Sequence, residues 1–455
     1  MDHRFQHPEK GGGKQKVILA IIFLFYFFYI IFPDYFAIEF SESLPLVTAS
    51  RILIIILTLI VLVRDKGRIY LGNFDKNFYF FLAIMLMVNC INITSLPGES
   101  VKTILSLLLE TWLFTYLIVR LITSEQKMNT AICGLVLASV LVSVLGVIEG
   151  VTGVNVFFFL TTTQRKMLQS VYIRFGAVRA SGPFGHSIYF GTYQLCMLPF
   201  SLYLYDTRKK AVYFFAFILN IISVILSGSR GQMAVMFLAM AIILFRKRSK
   251  YRLKYIRNSL CLLPVVIILI CIFPKVFTRM FSLIGSVIQA LAYSGGRANS
   301  QLGNANGILS RTEQLSGIVW TIMQGRVLSG FGNKAHLAYL IKYFRDGAWV
   351  KTSTFDVGYV AIFCQYGILG SIAFFKLYQS RLNKSVIWYK QMKKARSMKL
   401  QKLRLETFEN LQNTFIIFYV CYLINLLTST GIDKMLFAVI ALQMVSIKLS
   451  KAVNE

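Results

Sequence analysis

The sequence predicts an all-α polytopic membrane protein of about twelve transmembrane helices. Of its 455 residues, 56% are hydrophobic and only 15% charged, and the mean hydropathy is +0.62. An ordinary soluble domain carries roughly 25% charged residues. Yet the formal net charge is +30. A nucleic-acid binder explains that charge but not the apolar content, so nucleic acid is excluded as a partner. A membrane protein with its basic residues mainly on one face of the bilayer explains both. Apolar runs of about 20 residues, the length that crosses a bilayer, recur along the chain with no internal repeat and no soluble domain.

Taken in order, the spans fall at about 17–33, 45–63, 78–94, 101–120, 128–149, 186–205, 211–227, 231–246, 257–274, 355–376, 411–428 and 432–448. Val17 to Phe32 follows a basic start with no small-residue cleavage site after it, so it reads as an uncleaved first span rather than a signal peptide. An even number of spans puts both termini on one side. If that side is cytoplasmic, the inner segments hold about two-thirds of the 49 lysines and arginines, as the charge bias requires. The Arg246–Arg257 cluster and the basic loop at 376–410 account for many of them. Trp388 and Tyr389 lie inside that loop, but the positive-inside bias explains it without a polyanion site. The seven cysteines sit in apolar stretches with no CxxC pair, which argues against zinc, disulfide or redox chemistry. No cofactor is expected.

Two outer segments, 150–185 and 275–354, are too long to be mere connectors, and long loops on one face are where function tends to sit. In the larger one, Phe277, Met280, Phe281, Ile284, Val287, Ile288 and Leu291 recur at helical spacing, which suits a helix at the membrane surface. A capping box, Ser310-Arg-Thr-Glu313, then opens a second amphipathic helix with an apolar stripe of Leu315, Ile318, Val319, Ile322 and Met323. Gly325 and Gly330-Phe331-Gly332 end it.

Outer arginines are not explained by charge bias, and a guanidinium fork matches phosphate oxygens bidentately. Arg174 and Arg179 precede span six; Arg230 sits in the tight Ser227-Gly-Ser-Arg230-Gly231 turn; Arg311 opens the capped helix. A headgroup contact is the plain alternative for Arg174, snorkelling to the interface for Arg230, and surface exposure for Arg311. A cation at a helix N-terminus costs about 0.3–1 kcal/mol, so Arg311 calls for a reason. His186 starts span six, with a structural interface role as its alternative. Asp356 enters span ten, where it is either an N-cap or a proton acceptor. Glu110, deep in span four, pairs with Arg51 or binds a proton. Together the outer face suits a bound diphosphate beside a carboxylate, acting on a pre-activated, membrane-borne substrate.

The order of these motifs resembles the O-antigen ligase and Wzy-type polysaccharide polymerase superfamily. It runs Arg179-Ala-Ser-Gly-Pro-Phe-Gly-His186, Ser227-Gly-Ser-Arg230-Gly231, Arg311, Gly330-Phe331-Gly332, Asp356-Val-Gly358-Tyr359 and Gln365-Tyr366-Gly367-Ile368-Leu369-Gly370. The resemblance covers about residues 128–376 in motif and the whole chain in topology. It implies a GT-C-like enzyme of the bacterial cytoplasmic membrane that moves a glycan from undecaprenyl diphosphate to a hydroxyl without metal or nucleotide. Its partners are the lipid-linked oligosaccharide and membrane lipids, with a chain-length regulator as a candidate.

By the same resemblance Arg179, Arg230 and Arg311 hold the diphosphate; the reading of the residues adds Asp356 as the acceptor of the hydroxyl proton. His186, Arg174 and Tyr359 contact substrate. Ligases usually carry His-Asn where this chain has Phe355-Asp356, which favours the polymerase branch. A ligase is the first alternative. A twelve-span transporter is the second, resting on Arg64-Asp65-Lys66-Gly67-Arg68, although its Asp and Gly are one residue too close and Val61 stands where Gly is expected.

Overall fold

The structure is a computed structural model that describes residues 12–41, 44–68, 75–163, 171–174, 177–246, 311–336, 338–345, 347–351, 355–398, 402–430 and 433–454, with isolated positions between 257 and 285. The ninth span, the 277–291 surface helix and Ser310 of the capping box lie outside the described residues.

A helix stands at each of the other span positions. These are α1 (Gly12–Ile31), α2 (Ala49–Arg64), α3 (Lys76–Ile91), α4 (Pro97–Leu121), α5 (Glu125–Thr152), α6 (Ser187–Arg208), α7 (Ala211–Leu226), α8 (Arg230–Arg246), α10 (Gly358–Met398), α11 (Lys402–Asn425) and α12 (Asp433–Asn454). Between α8 and α10 lies the short α9 (Ser316–Met323). Among the described residues, α4, α5 and the stretch Gly358–Arg396 of α10 are long and apolar enough to cross a membrane; Gln15–Ile31, Lys76–Ile91 and Ala211–Leu226 are shorter apolar helices. The fold is thus a helical membrane bundle.

The helices meet through small residues and buried hydrogen bonds, as expected where lipid removes the hydrophobic drive between them. α5 packs on α1 and α7, α6 on α7 and α11, and α10 on α3 and α11. Gly134 brings α5 so close to α1 that a Cβ there would strike the carbonyl of Phe23. Ser143 Oγ lies 3.0 Å from Gln194 Oε1, and Asn220 Nδ2 donates to Ser201 Oγ at 3.1 Å, linking α5, α6 and α7. Gln232 donates to Asn425 Oδ1 (2.9 Å), and Asn425 Nδ2 donates to Thr192 Oγ1 (3.1 Å), tying α8, α11 and α6.

α10 is not one straight span. Gly367 breaks it with φ +63° and ψ −164°. The opened backbone is satisfied by the preceding chain: Phe331 N donates to Cys364 O (2.9 Å), Gly332 N to Gln365 O (2.9 Å), Ile368 N to Val327 O (2.8 Å) and Leu369 N to Leu328 O (3.2 Å). Broken helices survive at membrane depth only with such substitute partners. A Cβ on Gly330 would meet the Gln365 carbonyl, and one on Gly367 the Leu328 carbonyl. The two glycine motifs are therefore each other's packing partner. Past the break, α10 continues to Met398 and α11 begins at Lys402, so residues 376–410 are largely helical rather than an open loop.

Three short hairpins close the opposite end of the bundle: β1 (Ala37–Ile38) with β2 (Val47–Thr48), β3 (Ile173–Arg174) with β4 (Ala177–Val178), and β5 (Lys342–Arg345) with β6 (Ala348–Lys351). This is the loop end; the end carrying residues 376–410 is the basic end. Most of the sequence-predicted apolar stripe at α9 points away from the protein, while its Ile318 packs against the core around Phe355. Leu315, Val319 and Ile322 are half-exposed and Met323 more so, while Gln314, Gly317 and Thr321 are buried. An apolar face turned outward at a bundle end suits contact with lipid.

Candidate functional site

Arg179 is positioned by its own hairpin and by the turn after α7. Its backbone N–H donates to Tyr172 O across the β3–β4 hairpin (2.8 Å), and its Nε donates to the carbonyl of Ser227 (2.8 Å). Gly228, at φ +59°, makes room: a Cβ there would sit about 3.0 Å from the Arg179 side chain. Arg174 lies nearer the hairpin tip, in register with Ala177. Both arginines precede span six, and the fold anchors Arg179, not Arg174, at the base of the hairpin.

The loop leading from Arg179 into α6 is clamped by a carboxylate that the sequence reading passed over. Glu149, 4% exposed at the end of α5, accepts from Ser181 N (3.0 Å), Gly182 N (2.8 Å) and Ser181 Oγ (2.7 Å). Asn155 adds bonds to Ser181 Oγ and Gly182 O, both 2.9 Å. The available signal was an acid at the outer end of span five, just before Gly150.

His186 caps α6, its Nδ1 accepting the Ile188 N–H at 3.2 Å. A neutral imidazole that accepts at Nδ1 carries its proton on Nε2. The ring lies between Tyr172 (4.8 Å) and Tyr189 (5.5 Å). Burial, reinforced by the Arg179 charge, lowers its pKa to about 4, with Asp356 pulling the other way. Arg179 and Asp356 thus both act on this imidazole, and at neutral pH it is an uncharged donor.

Arg230 opens α8 directly after the Ser227-Gly-Ser turn that receives Arg179. A Cβ on the following Gly231 would collide with Thr428, and Gly358 N donates to Leu426 O (2.7 Å). The 426–430 segment therefore stands between the start of α8 and the start of α10. Asp356 immediately precedes α10, held by Gln314: the buried Oε1 of that glutamine accepts from Asp356 N (2.9 Å) and Val357 N (3.3 Å). Arg311 lies three residues before Gln314, one helical turn away and on the same face. Its Nε is buried without a hydrogen-bond partner among the described residues. Gln314 was not singled out from sequence, since a glutamine inside a capping segment gives no signal of its own. Nor was His336, whose pKa burial and Lys334 lower to about 4 and whose Nδ1 lies 3.1 Å from Gln365 Nε2.

Tyr359 is turned into the bundle. Its hydroxyl donates to Leu423 O (2.6 Å) and its ring stacks on Phe375. Glu110 pairs with Arg51 at 3.1 Å and accepts from Ser106, which settles the pairing expected for it. Among the described residues no group of three His, Cys, Asp or Glu side chains converges as a metal site would.

Arginines, a neutral histidine and a carboxylate thus lie at one end of a helical membrane bundle. Residues 215–375, from α7 to the upper half of α10, match the family model described as O-Antigen ligase, consistent with the superfamily of those ligases and of Wzy-type polymerases. That stretch contains Arg230, Arg311, Asp356 and Tyr359, and leaves Arg174, Arg179 and His186 just outside it. No curated protein matches the chain. At family level the match supports glycan transfer by a bacterial membrane protein.

Proposed function

We propose that this protein polymerises lipid-linked oligosaccharide repeat units at the outer face of the cytoplasmic membrane, with both termini in the cytoplasm. The growing glycan on undecaprenyl diphosphate is the donor, and a sugar hydroxyl of a second lipid-linked unit is the acceptor. The acceptor oxygen attacks the anomeric carbon as the bond to the diphosphate breaks, in one inverting displacement through an oxocarbenium-like state. The hydroxyl proton passes to Asp356. Arg230, Arg311 and Arg179 stabilise the charge that develops on the departing diphosphate, needing no metal or nucleotide. His186 offers its Nε2–H to a sugar oxygen or the diphosphate, Arg174 borders the glycan, and Tyr359 holds the start of α10 beneath Asp356.

The observation that carries this reading is Arg311: a cation whose buried Nε has no partner among the described residues, one helical turn from the glutamine that holds Asp356. A buried charged donor without a partner is costly, and an anionic substrate supplies the partner. The sequence pattern at Asp356 favours a polymerase, whereas the description of the matched family favours a ligase, which joins a finished chain to another acceptor.

Purified protein given its host's lipid-diphosphate-linked repeat unit separates these readings on a gel. A ladder of repeat additions, lost in Arg311→Ala, is the polymerase result. Unchanged chain length, with transfer only when a different acceptor is added, is the ligase result. Normal product from Arg311→Ala refutes the diphosphate assignment.

A further inference from the structure

A cavity of about 140 Å3 lies between α4, α10 and α12, on the far side of the 426–430 segment from Arg230. At roughly 30 Å3 per water it holds about five. Glu110, Thr111, Asn333, Thr430 and Lys434 give it polar walls, and Tyr366 is among the aromatic rings that complete it.

Three features of this cavity are unfavourable for a plain packing core. First, Glu110 lies on a π-helical stretch, Leu107–Leu113, interrupting α4; such widenings are rare and frequent at functional sites. Second, the Arg51–Glu110 pair is only 15–16% exposed, so its desolvation offsets much of its attraction. Third, Lys434 reaches Asp34 and Ser50; an ammonium has three donors, so among the described residues one remains. Glu110 receives Arg51 and Ser106, and a carboxylate has about four acceptor positions. Donor and acceptor capacity is thus left over beside aromatic rings in a partly open cavity. That combination suits one class of ligand: a sugar ring, with hydroxyls at its edge and C–H groups on its faces.

The cavity also adjoins the arginine site. Thr430 on its wall bonds the hydroxyl of Tyr189, which packs against His186 (2.9 Å; rings 5.5 Å apart). Ile362 on its wall lies on α10 four residues after Gly358, about 6 Å along the axis at 1.5 Å per residue from the helix start that Asp356 precedes. The cavity therefore lies toward the end of α10 that carries Asp356.

We propose that this cavity is the acceptor subsite, holding a terminal sugar of the incoming glycan by hydrogen bonds to Glu110, Thr111 and Lys434 against the aromatic wall. This rests on the transfer reading above, with Glu110 and Lys434 binding substrate rather than moving protons.

The test is calorimetric binding of oligosaccharide fragments cut from the host's own surface polymer, free of lipid and diphosphate, to the full-length protein in nanodiscs. The proposal expects saturable binding to the native protein. Glu110→Gln weakens it about tenfold and Thr111→Val about threefold, with unfolding temperatures checked for both, while Arg311→Ala leaves it within twofold. Absence of saturable binding to the native protein, or equal binding by Thr111→Val and Glu110→Gln, overturns the subsite. So does loss of binding in Arg311→Ala, which moves the sugar to the arginine site. Turnover of the lipid-linked donor is measured separately: fragments that bind at the cavity of a protein with no transfer activity sink the transfer reading, not the sugar site.

Discussion

The basic end of the bundle and its candidate site use arginine differently. At the basic end, several arginines are matched to acids: Arg64 and Arg120 share Asp65 (2.9 and 2.8 Å), Arg381 and Lys384 meet Asp75, Arg396 meets Glu409 (2.7 Å) and Arg404 meets Glu125 (3.2 Å). At the candidate site, Arg179 gives its Nε to a main-chain carbonyl, and Arg311 keeps a buried Nε with no partner among the described residues. Elsewhere at the loop end, Arg51 and Arg345 meet Glu110 (3.1 Å) and Glu313 (3.6 Å). An arginine matched to a carboxylate has its charge compensated within the fold. One whose buried donor has no partner among the described residues, as in Arg311, has a position left for an incoming anion. On the proposed function, basic residues that look alike in sequence divide into structural and ligand-facing sets.

Breaking a matched pair should unfold the protein, and removing a ligand-facing arginine should not. Asp75 is 8% exposed, meets Arg381 (1% exposed) and caps α3 through Asn77 N (3.0 Å). Asp75→Ala leaves a buried guanidinium without its counter-charge, so about 3–5 kcal/mol of stability is lost, read as a fall in the midpoint of unfolding in detergent. Arg311→Ala should keep that midpoint and lower glycan transfer by about 10²–10³, the usual loss when one preorganised donor is removed. If Arg311→Ala destabilises as much as Asp75→Ala, the division of the arginines is wrong.

The next effect belongs to the break in α10. Gly367→Ala forces a side chain onto a positive φ and against the Leu328 carbonyl. A cost of about 2 kcal/mol or more follows from the backbone strain alone, seen as a lower unfolding midpoint. Because the break lines the cavity side of α10, fragment binding should fall together with stability. Glu149→Gln comes next. The amide keeps one acceptor oxygen of the two that serve Ser181 and Gly182, so the loss is about 1–2 kcal/mol. Transfer should fall with it, since the loop it holds carries Arg179.

The helices were legible in the sequence because apolar length is a local signal: a helix stands where each described span was predicted. The turn that carries Arg230 was legible too, because glycine and serine mark it directly. The break at Gly367 was not. Its Gln365-Tyr366-Gly367 and Gly330-Phe331-Gly332 motifs were both noticed, but their pairing is a contact between segments about 35 residues apart. Gln314 and Glu149 escaped for the same reason. Their role is to hold the backbone of a residue far away in sequence, and nothing in their own neighbourhood reports it. The outward-facing stripe of α9 shows a related limit, because amphipathic spacing locates an apolar face without saying whether protein or lipid covers it.

The smallest effect is a pH dependence that separates the histidines from the arginines around them. His186 and His336 both have folded pKa values lowered to about 4 from 6.5, each chiefly by burial. A histidine depressed in the folded state binds fewer protons there than when unfolded, so its contribution to stability is complete above pH 6.5 and is lost as pH falls from 6.5 toward 4. Between pH 7.5 and 6 each histidine should cost the fold about 1 kcal/mol. His186→Asn retains a side-chain acceptor for the Ile188 N–H but does not titrate. Its unfolding free energy should therefore vary by about 1 kcal/mol less over that interval than the native protein's, leaving the share of His336. An unchanged slope would mean that His186 is protonated as readily in the fold as outside it. Asp356 would then balance burial and Arg179, and the imidazole would become a cation below about pH 6.5, adding its charge to the arginines around the diphosphate.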